Sequence, residues 1–202
     1  MMQISIKSDI AKAVKFVGAY SKQIPFATSV AMNKTINQVQ TVEQAAMRRE
    51  LDQPRPATIK GIRVKRSTKR KLEASVFVIP GIDQFLRYQV VGGTRPPRGR
   101  AEAVPVGIKL NQYGNIPGRR QGKLAKLLAR PDTFSGTVKG VSGIWQRGKG
   151  KQRQTVKLLA SYQDRTKYKP RFHFYQHAER TVARRWASNF NRSIAAAIRT
   201  AR

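Results

Sequence analysis

An unbroken helical period between two proline breaks is the strongest constraint on how this chain folds. Ile24-Pro25 interrupts helix, because the residue before a proline avoids the helical region. Pro25 itself suits a helix's first turn. From there FATSVAMNKTINQVQTVEQAAMRREL places Phe26, Val30, Ala31, Ile36, Val39, Ala46 and Met47 where they can face a core. Pro54 and Pro56 end the run. The opposite face is rich in Asn, Gln and Thr, and it fits either contact with other subunits or an uncharged surface. Upstream, Ser8 or Asp9 can cap a first segment with Ile10, Val14 and Val17 on one side, so the first fifty residues read as helix. A second long helix is predicted after Pro170. Tyr175, Ala178, Val182, Trp186, Phe190, Ile194 and Ile198 recur at helical spacing, with Arg180, Arg184, Arg185, Arg192 and Arg199 on the remaining faces.

Between these helices the period changes. Ile59, Ile62 and Val64 come first, and then the alternation of Leu72, Ala74, Val76 and Val78 marks a half-buried strand. Phe85, Tyr88, Val90 and Val91 read as a further strand running into Gly92-Gly93-Thr94, and Val104, Val106 and Ile108 as another. Residues 123–130 form a short helix that Pro131 stops. Val138, Val141, Ile144 and Trp145 read as one strand, and residues 155–162 as the next. Short strands in this order between helices predict an α+β fold with a mostly antiparallel sheet. The layout is one domain: a helical part over 1–52, a β-rich part over 57–110, a basic loop-rich insertion over 111–168 and a C-terminal helix over 170–202.

Charge narrows the partners. Forty-one Lys and Arg face ten Asp and Glu, a formal net charge of +31. A lone globule with that balance repels itself, so a polyanion or acidic neighbours must neutralise it. The stretches 1–60, 61–100, 101–170 and 171–202 carry +5, +8, +12 and +6. Charge therefore peaks in the middle, unlike a histone-type tail, which concentrates it at one end. The chain has no cysteine, which excludes disulfides and thiolate metal sites. No stretch approaches the roughly 20 apolar residues of a membrane span. The N-terminus shows no apolar run of signal-peptide type. A soluble protein made in the cytoplasm is the expectation.

Catalytic constellations are lacking. No two acids form the close pair that holds magnesium. His173 and His177 are four apart, but Phe174 stands where a zinc-protease motif needs glutamate, and a third ligand is missing. Gly92-Gly93-Thr94 and the glycines from Gly143 to Gly150 match no nucleotide-binding loop. Neither enzyme chemistry nor a cofactor nor a metal is expected. The basic knot Lys65, Arg66, Lys69, Arg70 and Lys71, and the loop carrying Arg147, Lys149, Lys151 and Arg153, are the candidate polyanion contacts. Each can neutralise several phosphates, which gives salt-sensitive affinity without sequence preference. Gly148-Lys149-Gly150-Lys151 offers either backbone access to phosphate or a solvated turn. Tyr113, Trp145 and Tyr162 suit core packing better than base stacking, and no base-reading module is present.

Three patches resemble the tail-completion proteins of tailed bacteriophages, the lambdoid tail protein Z type of minor tail protein. The stretch from Pro25 to Ile36 resembles that family's early Ala-rich helix, with its A-x-N-[KR] core at Ala31-Met32-Asn33-Lys34. The segments Gly92-Gly93-Thr94-Arg95-Pro96-Pro97 and Gln112-Tyr113-Gly114-Asn115-Ile116-Pro117 resemble segments of phage neck and tail proteins. Phe172-His173-Phe174-Tyr175, leading into an Arg-rich helix, resembles their terminal helix. The resemblance implies a virion protein that forms an oligomeric ring with neighbouring tail or neck proteins, near the DNA path. The rival reading is a cellular nucleic-acid-binding protein of the ribosome or nucleoid, which the distributed Lys and Arg suit equally.

Overall fold

The computed structural model describes residues 1–7, 23–97, 99, 101–116, 122–149 and 155–200. In chain order these form β1 (Gln3–Lys7), α1 (Gln23–Glu50), α2 (Pro56–Ile59), β2 (Ile62–Lys65), β3 (Glu73–Val78), α3 (Pro80–Val91), β4 (Gly93–Arg95), β5 (Glu102–Pro105), α4 (Gly122–Leu128), β6 (Thr133–Val138), β7 (Val141–Arg147), β8 (Val156–Gln163), β9 (Thr166–Tyr168) and α5 (Phe174–Thr200). The fold is α+β, and every strand pairing is antiparallel. Where the sequence suggests one domain, contacts gather into two compact units: Met1–Val91 with Pro170–Arg202, and Gly92–Lys169.

The first unit is a three-stranded sheet, β1-β3-β2, with α1 packed on it. Ile4 faces Val76 across β1 and β3, and Ile62 faces Val78 across β2 and β3. Met32, Ile36, Val39 and Met47 of α1 bury against Ala74, Val76 and Val78, together with Leu86, Phe172 and Phe174. α1 starts and stops where its prolines require, with Pro25 in the first turn. One expected core residue is misplaced: Phe26 is 52% exposed.

Two other expectations fail here. Residues 3–7 are a strand, because Ile4 and Ile6 alternate with polar neighbours and find β3 as a partner. The first helical segment, around Ile10 to Val17, lies outside the described residues. The strand expected through Phe85, Tyr88, Val90 and Val91 is the helix α3. Pro80 opens it, Asp83 lies in its first turn, and Ile82, Phe85, Leu86 and Val90 fall at positions i, i+3, i+4 and i+8, on one helical face. Gly92, at φ 77°, follows it in the left-handed conformation that suits a helix end.

α1 and α5 run antiparallel, as their contacts show: Glu50 meets His173, and Thr35 meets Asn189. The seam is built from small and polar side chains, Ala27, Thr28, Ala31 and Thr35 opposite Ala178, Thr181, Asn189, Ser193 and Ala197. The expected aliphatic–aromatic stripe of α5 is thus rotated towards one edge. Trp186 and Phe190 are half-buried with ring centroids 5.5 Å apart, while Tyr175 and Ile198 are exposed. The uncharged face of α1 is largely used within the chain. The Asn189 amide donates to Thr35 Oγ1 and Gln38 Oε1, both at 2.9 Å, and Gln40 donates to the Ile62 carbonyl at 2.8 Å.

The second unit holds a four-stranded sheet, β5-β8-β7-β6, and the separate pair β4-β9. Ile144, Leu159 and Ala160 form its core, with Leu124 and Leu127 of α4 against them. The strand expected across Val138 to Trp145 is a hairpin of β6 and β7. Lys139 and Gly140, at φ 49° and 79°, make the tight turn, a conformation favoured by the twist of the flanking strands. Much of the expected loop-rich insertion is therefore regular structure. Trp145 is buried and donates through Nε1 to the Gly136 carbonyl at 3.1 Å; the Tyr162 hydroxyl meets Ser135 at 3.0 Å.

Candidate polyanion interface

The knot 65–71 is the connection between β2 and β3, and its backbone is held at two levels. At the tip, Thr68 N–H donates to the Lys71 carbonyl at 2.9 Å and Lys71 N–H to the Thr68 carbonyl at 3.1 Å, which closes a tight turn over Lys69-Arg70. At the base, Ser67 is buried and acts as a rivet to α1. Its N–H donates to Asn33 Oδ1 at 2.8 Å, and its carbonyl accepts from Asn33 Nδ2 at 3.0 Å and from Ser29 Oγ at 3.1 Å. Its hydroxyl is within reach of the Ser29 carbonyl at 3.1 Å. Polar groups so buried are satisfied by one another, which fixes the loop against the helix.

The consequence is electrostatic. With Ser67 turned inward, Lys65, Arg66, Lys69, Arg70 and Lys71 all face solvent. Lys71 pairs with Glu73 at 3.5 Å. The other four have no acid within ion-pair distance among the described residues. A group of like charges on an ordered turn is a ready receptor for a phosphate chain, since little loop entropy is lost on contact.

The second predicted segment lies in the other unit, on the connection between β7 and β8. Gly148 N–H donates to the Thr155 carbonyl at 2.8 Å and closes the neck of that loop. Arg147 places its guanidinium 5.2 Å from the Phe134 ring centroid, and Lys149 is exposed. Lys151 and Arg153 lie outside the described residues. The predicted cations are thus divided between two units. On α5, Arg180, Arg184, Arg185, Arg192 and Arg199 are also exposed and join no ion pair among the described residues.

Most acids on the described surface are engaged. Asp52 pairs with Arg171 at 2.7 Å, Asp132 with Arg130 at 2.9 Å, and Glu102 with Arg95 at 3.5 Å. The hydrogen bond from Arg171 and that guanidinium's charge hold the Asp52 carboxyl below its usual range. Hydrogen bonds from Gln146 and Arg130 do the same for Asp132.

Sequence reasoning missed two features. Asn33 was visible only as a letter in the A-x-N-[KR] core; its role as the clamp on Ser67 needs a partner 34 residues away. The second feature surrounds the two histidines. Glu50 Oε1 lies 3.1 Å from His177 Nε2, and Glu50 Oε2 accepts from the His173 backbone N–H at 3.1 Å. Glu43 Oε2 lies 3.8 Å from His177 Nδ1. His177 stands between the two glutamates with a different ring nitrogen towards each. The four groups do not converge, and among the described residues no three such side chains are placed to hold a metal ion.

No family model matches the chain, and comparison with curated proteins and with solved structures finds no significant match.

Proposed function

We propose that this protein is a structural, non-enzymatic component of a bacteriophage tail or head–tail junction, which forms an oligomeric ring and contacts DNA without reading its sequence. The observation that carries the DNA contact is the riveted turn 65–71, with four cations that have no ion-pair partner among the described residues, on a backbone fixed by Asn33 and Ser29. The acids engaged in ion pairs favour a structural role over acid–base chemistry. The resemblance to tail-completion proteins supports the place in the virion, and Asn33 lies in one of its three patches.

Two measurements test the two halves of this proposal. Replacing Lys65, Arg66, Lys69 and Arg70 together by Gln removes four phosphate contacts. The slope of log affinity against log salt on duplex DNA should then fall by roughly 0.9 per contact, about 3–4 units in all. An unaltered slope, or strong preference among unrelated duplexes, refutes the contact. Imaging of intact particles at side-chain resolution should find the protein as a ring in the tail or neck. Finding it in ribosomes or on the nucleoid would overturn the virion placement and leave the DNA contact standing.

A further inference from the structure

A line of ionisable side chains spans the seam between the C-terminal end of α1 and the N-terminal end of α5. Glu43 and Glu50 are two turns apart on α1; His173 immediately precedes α5 and His177 lies in its first turn. Glu43 is completely buried, and neither carboxyl oxygen has a hydrogen-bond partner among the described residues. His177 Nδ1, 3.8 Å from it, is likewise buried without a hydrogen-bond partner among the described residues. Glu50 is partly open to solvent and accepts from Arg49 at 2.8 Å and from the His173 backbone N–H. A carboxylate there also suits the positive end of the α5 dipole.

These positions select one arrangement of protons. Glu50 is the anchored anion, so the proton of neutral His177 sits on Nε2, which faces it at 3.1 Å. Nδ1 then carries a lone pair and needs a donor. The ionisable group facing it is Glu43, which can donate only when it is protonated. The charged and titratable groups around the pair are Glu43, Arg49 and Glu50 from α1, His173 just before α5, and His177 and Arg180 from α5. A second carboxylate beside Glu50, at the buried position of Glu43, would be unpaired and would face a like charge.

We propose that Glu43, His177 and Glu50 form a proton-dependent latch: a proton held on Glu43 keeps the start of α5 seated on the end of α1, and its loss unseats that end of the helix. Burial first, and then the negative charge of Glu50, push Glu43 from the 4.5 of an exposed glutamate up to about 9. Burial is also the leading influence on His177, holding its imidazole below the ordinary 6.5 despite the attraction of Glu50. Burial pushes Glu50 up, but hydrogen bonds from Arg49 and His173 outweigh it and hold that carboxyl low. The directions fix the pH window. The folded state keeps a proton on Glu43 that the unfolded chain gives up above about 4.5, so this stabilisation is full below 4.5 and is lost as pH rises towards 9. The contribution of neutral His177 is present above 6.5 and is lost as pH falls below it. Above 6.5 only the loosening due to Glu43 remains.

Glu43→Gln mimics the protonated acid, because its amide can donate to Nδ1. Between pH 6.5 and 9, one bound proton makes the unfolding equilibrium constant of the wild type rise about tenfold per pH unit relative to the variant. Hydrogen-exchange protection of residues 173–181 should fall over the same range in the wild type and hold in Glu43→Gln. Parallel pH profiles for the two proteins would overturn the latch. Should the variant fail to fold, nitrogen NMR of the histidines in the wild type decides alone. His177 protonated on Nε2 only at pH 7 supports the latch, and an imidazolium or an Nδ1–H tautomer refutes it.

Discussion

Asn33→Ala tests whether the basic turn is held or merely present. The change removes the acceptor of the Ser67 N–H, at 2.8 Å, and one of two donors to the Ser67 carbonyl, at 3.0 Å. The carbonyl retains Ser29 Oγ at 3.1 Å, but the N–H is left without a partner beside the buried Ser67 side chain. A lost hydrogen bond costs about 0.5–1.5 kcal/mol, and a stranded buried group about 1–3 kcal/mol. The expected loss is therefore about 3 kcal/mol, or a fall in melting temperature of roughly 6–12 °C for a chain of this size. Calorimetry measures it directly. DNA affinity supplies the second readout, because the variant keeps every cation. Re-ordering even one or two freed backbone positions costs about 1–2 kcal/mol each, so affinity should drop at least about fivefold while the salt slope stays near the wild-type value. An unchanged melting temperature together with unchanged affinity would refute the clamp. A reduced slope would show instead that the turn no longer presents its charges together.

The chain has two tryptophans, and the fold places one in each unit, Trp145 in the second and Trp186 in the first. Trp186→Ala removes a half-buried ring that packs tilted against Phe190 and should cost about 1–3 kcal/mol, read as a lower denaturant midpoint for the first unit; unchanged stability would mean that this edge of α5 contributes no packing. Gly143→Ala inserts a methyl group into the Ala160 carbonyl of the neighbouring strand and against Leu158, which cannot yield without parting β7 from β8. It should cost about 3 kcal/mol, near the upper end for overpacking, with early unfolding seen in Trp145 fluorescence and the Trp186 transition retained. A single unshifted transition would show that the strand accommodates the methyl group.

Local signals made some of this fold legible. Pro25, Pro54 and Pro56 bound α1, Pro131 stops the short helix α4, and the alternation around Val76 marks β3, because each depends on backbone stereochemistry or a short-range period. The strand expected at α3 has a local cause. Its Phe85, Tyr88, Val90 and Val91 are residue types that favour strands, yet their spacing is helical, and packing of Leu86 into the core decides for the helix. The β6–β7 hairpin is not legible in the sequence, because Lys139-Gly140 is a weaker turn signal than Asn-Gly or Asp-Gly.

The sequence by itself determined the excess of positive charge, the extents of the two long helices and the α+β class, since all three follow from composition or from periods of a few residues. Tertiary structure alone decided which face of each helix is buried. α5 presents Thr181, Asn189 and Ser193 to α1 because small side chains let two helix backbones lie close, a gain that appears only once the partner helix is in place. It also decided that Ser67 turns inward while its basic neighbours stay outside, and that Glu43 meets His177. Those pairs are separated by 34 residues or more along the chain. Their energy comes from removing polar atoms from water in one place, and no local period records where that place is.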